Sequence, residues 1–183
     1  FFNPVAMIPL VEIVPAEQTD DPPVATAFAV GKSLKKSCVL VKDAPAFVVN
    51  RLLTRFMGEI TKSVDEGTDF AVADNALAPL GLPMTPFVLL QLVGPAVAYH
   101  VSETMAEAYP DRVYVSTNLG RIVDAGKTGI WNWDTGTPVV DPEVAALFEQ
   151  GDSPLSDPEV RDRALDAMAE EIQLMLDEGV VAE

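Results

Sequence analysis

The chain has 183 residues and a net charge of −16, from 28 acidic and 12 basic side chains. That excess of acid disfavours nucleic acid, whose phosphates need Lys and Arg, and anionic membrane surfaces. One cysteine, Cys38, and one histidine, His100, exclude a disulfide framework and a zinc centre built from Cys and His, so no metal site is expected.

The 49% apolar and 22% charged residues suit a globular fold with a real core. No apolar run reaches the roughly 18 residues of a membrane span, and the start, Phe1-Phe2-Asn3-Pro4, has no signal-peptide pattern. A single cysteine and no targeting segment favour the reducing cytoplasm.

Residues 9–14, Pro-Leu-Val-Glu-Ile-Val, are β-branched and short, which predicts a strand. Alternation sets Leu10, Glu12 and Val14 on one face and Val11 and Ile13 on the other. Thr19-Asp20-Asp21-Pro22-Pro23 signals a helix start. That helix carries Val24, Ala27, Phe28, Gly31 and Leu34 at three-to-four spacing and ends among Lys32, Lys35 and Lys36, favourable at the negative end of the dipole. Cys38-Val39-Leu40-Val41 predicts a second strand. Strand, helix and strand make one βαβ unit of a parallel sheet, too small to stand alone, so the rest of its sheet is expected upstream.

After Asp43-Ala44-Pro45 the period becomes helical. Val49, Leu52, Leu53, Phe56, Met57, Ile60 and Val64 form an apolar stripe, with Arg51, Thr54, Arg55, Glu59 and Lys62 on the opposite side, and Gly67 ends the helix. Further helices are predicted over 69–80, from Thr85-Pro86-Phe87 to Gly94, over about 96–109 and over about 117–126. Trp131 and Trp133 then precede a Pro-, Gly- and Asp-rich stretch that reads as a linker, with a short helix at 143–149 inside it. Ser156-Asp157-Pro158-Glu159 has the capping-box pattern and opens a last helix. Its expected stripe is Val160, Ala164, Leu165, Met168, Ile172, Met175 and Leu176.

Residues 51–67, RLLTRFMGEITKSVDEG, and 163–179, RALDAMAEEIQLMLDEG, agree without a gap at seven positions. The match favours an internal duplication of a helical module. The second copy stops soon after Gly179, so the chain reads as a piece cut from a larger protein.

Three residues stand out as candidates for chemistry. Glu12 places a carboxylate in an otherwise apolar strand. It is either solvated on an edge or, if buried, costly unless paired, as a carboxylate that orients a catalytic imidazole would be. Asn50 lies in the first turn of the long helix, just past the strand-to-helix joint, where an amide can meet a ligand at the mouth of a parallel sheet. His100, in mid-helix, reads as structural or exposed. Lys127-Thr128-Gly129 lacks the glycines and the strand of a phosphate loop.

The stretches FFNPVAMIPLVEIVPAEQT, KDAPAFVVNRLL and DEGTDFAVADNALAPLGLPMTPFVLLQLVG resemble the L-3-hydroxyacyl-CoA dehydrogenase family over residues 1–130. The duplication resembles the long multifunctional form found in fatty-acid β-oxidation. The resemblance implies a mainly α fold. Residues 1–43 would be the βαβ end of a Rossmann-like NAD-binding domain, 44–133 the helical C-terminal domain, 134–155 a linker and 156–183 the start of a second, truncated helical repeat. It implies NAD as cofactor, an acyl-CoA substrate, and a homo-oligomer or a complex with a thiolase subunit.

The family pattern sets a histidine immediately before Phe-Phe-Asn-Pro as general base, with Glu12 matching its carboxylate partner. Asn3 matches the asparagine near the cofactor, and Asn50 the one at the acyl-thioester end of the substrate. Without that histidine and the phosphate-binding glycines the chain alone is expected to be inactive. The family's Pro-Gly-Phe is Pro45-Ala46-Phe47 here, a replacement expected to be tolerated if Ala46 keeps a negative φ. The family's Pro-Met-Gly-Pro-Phe is Pro83-Met84-Thr85-Pro86-Phe87, Gln91 stands where an aspartate is expected, and Ile130-Trp131-Asn132-Trp133 replaces a Gly-Phe-Tyr. In the second copy Asp162 stands at the position of Asn50, which makes that copy structural. A non-catalytic helical dimerisation or interaction module on the same scaffold is the competing expectation.

Overall fold

A computed structural model describes residues 1–2, 5–134 and 136–181. Its contacts divide the chain into two compact units, one of residues 1–51 with 171–183 and one of residues 52–170.

In the first unit β1 (Leu10–Ile13) and β2 (Ser37–Leu40) pair in parallel, with Glu12 opposite Val39, and are joined by α1 (Asp21–Ser33). The alternation holds: Val11 and Ile13 are buried, while Leu10 and Glu12 are half-buried. Asp20 sits at the N-cap of α1, ahead of two prolines in the first turn. Of the expected α1 stripe, Gly31 is buried but Ala27 and Leu34 are exposed. A Cβ on Gly31 would lie 2.1 Å from Cys38 Sγ, so a larger residue there needs the thiol to turn away. The chain after β2 is tied to the C-terminal segment, where Lys42 N–H donates to the Val180 carbonyl at 2.9 Å.

The second unit is helical. It holds the body of α2 (Val49–Asp65), α3 (Phe70–Asn75), a 3₁₀ turn at Ala78–Leu80, α4 (Pro86–Val93), α5 (Pro95–Ala108), α6 (Thr117–Asp124), α7 (Pro142–Leu147) and most of α8 (Asp157–Asp177). The helix expected over 69–80 is α3 plus the 3₁₀ turn, because Asp69 caps α3 through Ala71 and Val72 N–H and Pro79 interrupts it. Phe56, Ile60 and Val64 of α2, Phe87 and Leu90 of α4, and Ile122 of α6 form one core with Val160 and Ala164 of α8.

The stretch read as a linker contributes to that core. Trp131–Asn132 (β3) pairs antiparallel with Val139–Val140 (β4), Val144 of α7 is fully buried, and Phe148 meets Phe70 edge-on at 4.8 Å. Asp74 holds three elements at once. It accepts from Phe87 N–H at 2.6 Å, Thr85 Oγ1 at 2.7 Å and Trp131 Nε1 at 2.9 Å. Burial pushes its carboxyl up, and the three donors only partly offset that.

Two expected faces are corrected. On α2 the side opposite the apolar stripe is buried in part, at Arg51, Glu59 and Ser63, whereas Leu53, expected in the stripe, is 38% exposed. On α8 the buried row is Val160, Ala164, Ala167, Glu171 and Met175, while Leu165 and Ile172 lie open to solvent. The reason is the same in both helices. Their charged residues find partners far off in sequence and become buriable. Arg163 donates to Glu59 at 2.6 Å and to Glu66 at 2.5 Å. Arg51, in the other unit, holds Glu171 and, at 2.8 Å, Glu178. The capping box is present, with Glu159 Oε2 accepting from Ser156 N–H at 2.8 Å.

Candidate active site

The site is built where the chain leaves β2 and enters α2. Pro45 and a left-handed residue at position 46 form the pattern of a type II turn, closed by Phe47 N–H to the Ala44 carbonyl at 3.0 Å. Ala46 has φ +60° and Phe47 φ +54°, so the expected negative φ at Ala46 is not met. The type II turn requires a positive φ at its third position, which glycine adopts freely and alanine does not.

The turn delivers two backbone N–H groups to Glu12. Val48 N and Val49 N donate to Glu12 Oε1 at 3.0 and 2.9 Å. A carboxylate from β1 therefore caps α2, satisfying two otherwise orphaned donors and meeting the positive end of the helix dipole. Oε2 of Glu12 makes no hydrogen bond among the described residues, which leaves it able to accept from a further donor. Glu12 is thus half-buried and anchored through one of its oxygens.

Asn50 follows directly. It is exposed in the first turn of α2, next to the N–H groups that Glu12 holds. Asn3 lies outside the described residues. Just after it, Lys36 Nζ donates to the carbonyls of Val5 at 2.5 Å and Ile8 at 2.7 Å and fixes that segment beside β1. His100 is exposed on α5, and Asp162, which matches Asn50 in the second copy, is exposed on α8. Lys127 is occupied by Asp141 and Glu143.

Arg51 was not foreseen as part of this region. The signals in the sequence were its place directly after Asn50 in KDAPAFVVNRLL and its match with Arg163 in the duplicated pattern. Among the described residues no group of three or more His, Cys, Asp or Glu could hold a metal. Among the described residues no helix is long and apolar enough to cross a membrane.

Comparison with known proteins decides the family. The sequence model of the 3-hydroxyacyl-CoA dehydrogenase NAD-binding domain matches residues 1–44, and that of the C-terminal domain matches residues 47–132. The chain belongs to the 3-hydroxyacyl-CoA dehydrogenase family. It is 34% identical to the fatty acid oxidation complex subunit alpha of Acinetobacter baumannii (strain SDF) over all of its own length and 28% of that protein. The corresponding subunit of Pseudomonas putida (strain F1) is 42% identical over 62% of this chain and 16% of that protein. The chain thus spans about a quarter of the relative that it matches end to end.

Among solved structures, FadB2 of M. tuberculosis is similar with a TM-score of 0.64 at 33% identity, over 69% of this chain and 46% of that one. The 3-hydroxybutyryl-CoA dehydrogenase of Escherichia coli K12 covers the whole chain, and 57% of its own, with a TM-score of 0.81 at 20% identity, a likeness of fold.

Proposed function

We propose that this chain is the end of the NAD-binding domain, the helical C-terminal domain and the start of a second helical repeat of an NAD-dependent L-3-hydroxyacyl-CoA dehydrogenase. The whole enzyme would oxidise 3-hydroxyacyl-CoA to 3-ketoacyl-CoA in fatty-acid β-oxidation, in the cytoplasm and within a larger oxidation complex. The domain matches and the name of the relatives support that reading.

The observation that carries it is the seat of Glu12. One carboxylate oxygen is fixed by the N-terminus of α2, and the other is left to orient an imidazole. The resemblance supplies that imidazole as the histidine immediately before Phe1. Held by Glu12, its ring keeps one tautomer, and its protonated form is stabilised after it takes the proton of the 3-hydroxyl. Asn50, exposed at the same helix start, would hold the thioester end of the substrate, and Asn3 would lie by the cofactor.

The parallel βαβ piece, with Glu12 near the carboxyl end of β1, fits the edge of a dinucleotide-binding sheet. NAD, when bound, supplies the hydride acceptor. The chain's own residues position the base and the substrate. An open groove of about 700 Å³ in the helical unit is a poor alternative site for CoA, since five carboxylates line it against two arginines, Arg55 and Arg163, both already held in ion pairs.

The test is Glu12→Gln in the complete enzyme. Glutamine keeps one oxygen for the Val48 and Val49 N–H groups, but it removes the charge and puts an NH2 donor where the second acceptor oxygen stood. Turnover should fall about 10²–10⁴-fold with the fold retained. A kcat equal to the parent's would remove Glu12 from the mechanism. A complete protein with no dehydrogenase activity and an unaltered oligomeric state would favour the interaction module instead.

A further inference from the structure

Arg51 stands directly after Asn50, and its side chain is wholly buried. Its Nε donates to Glu171, itself only 2% exposed, and its Nη1 meets Glu178 Oε2 at 2.8 Å. All these residues belong to the same compact unit as Glu12. Burying such a pair is a weak route to stability, because apolar residues of similar volume often do as well. What a guanidinium fork between two carboxylates gives is geometry. Here it fixes one turn of α2, the turn that presents Val48 and Val49 N–H to Glu12 and carries Asn50.

A line of contacts therefore runs from the carboxylates of α8, through Arg51, to the first turn of α2, and from there to Glu12. We infer that Arg51, Glu171 and Glu178 are positioning residues for the dehydrogenase site. The second helical copy, which lacks a substrate asparagine of its own, sets where Asn50 and the Glu12 carboxylate stand. The inference rests on the roles given above to Glu12 and Asn50. A displacement of about 1 Å at a reacting group can cost on the order of 10²-fold in rate, so a loosened turn should be visible in kinetics.

Two variants of the complete enzyme test this. Glu171→Gln keeps the shape and one acceptor but removes the charge. The double variant Arg51→Met/Glu171→Leu removes both charges and leaves none buried alone. Each should fold. Per mole of folded enzyme, each should show a KM for 3-hydroxyacyl-CoA raised about three- to tenfold and a kcat lowered about tenfold or more, with the KM for NAD unchanged. A merely structural pair would change the thermal midpoint and the folded fraction, neither of which moves KM. Parental KM and kcat in both variants would overturn the inference. Glu12→Gln and Asn50→Ala, assayed alongside, separate the two readings. If those are defective while the Arg51 variants are silent, only the positioning role falls. If Glu12→Gln and Asn50→Ala are themselves silent, the site assignment falls and the positioning role with it.

Discussion

Ahead of α2, Ala46 holds a backbone angle that alanine resists. An L-residue in the left-handed region loses about 1–2 kcal/mol to the approach of its Cβ and a carbonyl oxygen. Glycine escapes that loss but gives back part of it through a freer unfolded chain. Ala46→Gly should therefore raise stability by about 0.5–1 kcal/mol, and Ala46→Val should lower it; thermal unfolding of the two variants reads both signs. Gly31 presents the opposite case, a right-handed helical residue with no room. Gly31→Ala drives a methyl to 2.1 Å from Cys38 Sγ, a clash relieved only when the thiol leaves its present rotamer. A loss of about 1–3 kcal/mol is expected. Cys38→Ala in the same chain should recover most of it, since the clash is with the sulfur, and a double-mutant cycle that shows no coupling would refute the contact.

At the scale of elements, α2 and α8 exchange charges in a reciprocal pattern. Arg51 meets Glu171 and Glu178 in one unit, and Arg163 meets Glu59 and Glu66 in the other. These are matching positions of the two copies of the sequence pattern, each arginine taking the two glutamates of the other copy. Glu59 shows the electrostatic result. Its burial pulls its carboxyl up, but hydrogen bonds from Arg163 and Arg55 outweigh that and hold it below the usual carboxylate range. The folded state therefore binds this proton less tightly than the unfolded state does. The stabilisation is complete above about pH 4.3 and is lost as pH falls through the depressed value. Glu59→Gln should cost about 1.5–3 kcal/mol at pH 7, with the gap to the parent closing below pH 4; denaturant titrations at both pH values check this, and a gap that does not change would refute the assignment.

The same helices show what could be read in advance. The spans of β1, α1, β2, α2 and α8 follow from alternation, three-to-four spacing, caps and glycine stops. Glu12 and Asn50 stand out because a carboxylate in an apolar strand and an amide at a helix start are locally odd. The burial of Arg51 and Glu59 was hidden, because periodicity grades a position by its own polarity and these two are made buriable by partners about 100 residues away. The capping of α2 by Glu12 was hidden for a related reason: its donors are backbone N–H groups, which every sequence has.

Over the whole molecule the charge is unevenly distributed. Residues 1–51 hold five basic and five acidic side chains, which leaves seven basic and 23 acidic for residues 52–183. The neutral part carries Glu12 and Asn50, while the helical part carries the entire excess. Arg55, Arg121, Lys127 and Arg163 are already committed to ion pairs, so much of the remaining acid repels itself. Added salt screens exposed charges over about 8–10 Å at 0.10–0.15 M and screens buried pairs far less. The thermal midpoint at pH 7 should therefore rise as sodium chloride is raised from low to physiological strength. A fall would mean that exposed ion pairs, rather than net repulsion, dominate the balance.

The last question at this scale is whether the helical unit can exist without α8. Val160 and Ala164 lie in the same core as Ile60, Phe87 and Ile122, and Arg163 is the cation between Glu59 and Glu66. Ending the chain at residue 155 would uncover that core and leave Glu59 with Arg55 as its remaining arginine partner among those two. Losing contacts of that kind costs several kcal/mol, against a total stability of about 5–15 kcal/mol for a domain. The chain of residues 1–155 should therefore lose its cooperative urea transition and become sensitive to protease throughout residues 52–155, whereas residues 1–183 should unfold cooperatively over that region. A sharp transition of undiminished slope in the shortened chain would show that α8 merely rests on a unit complete without it.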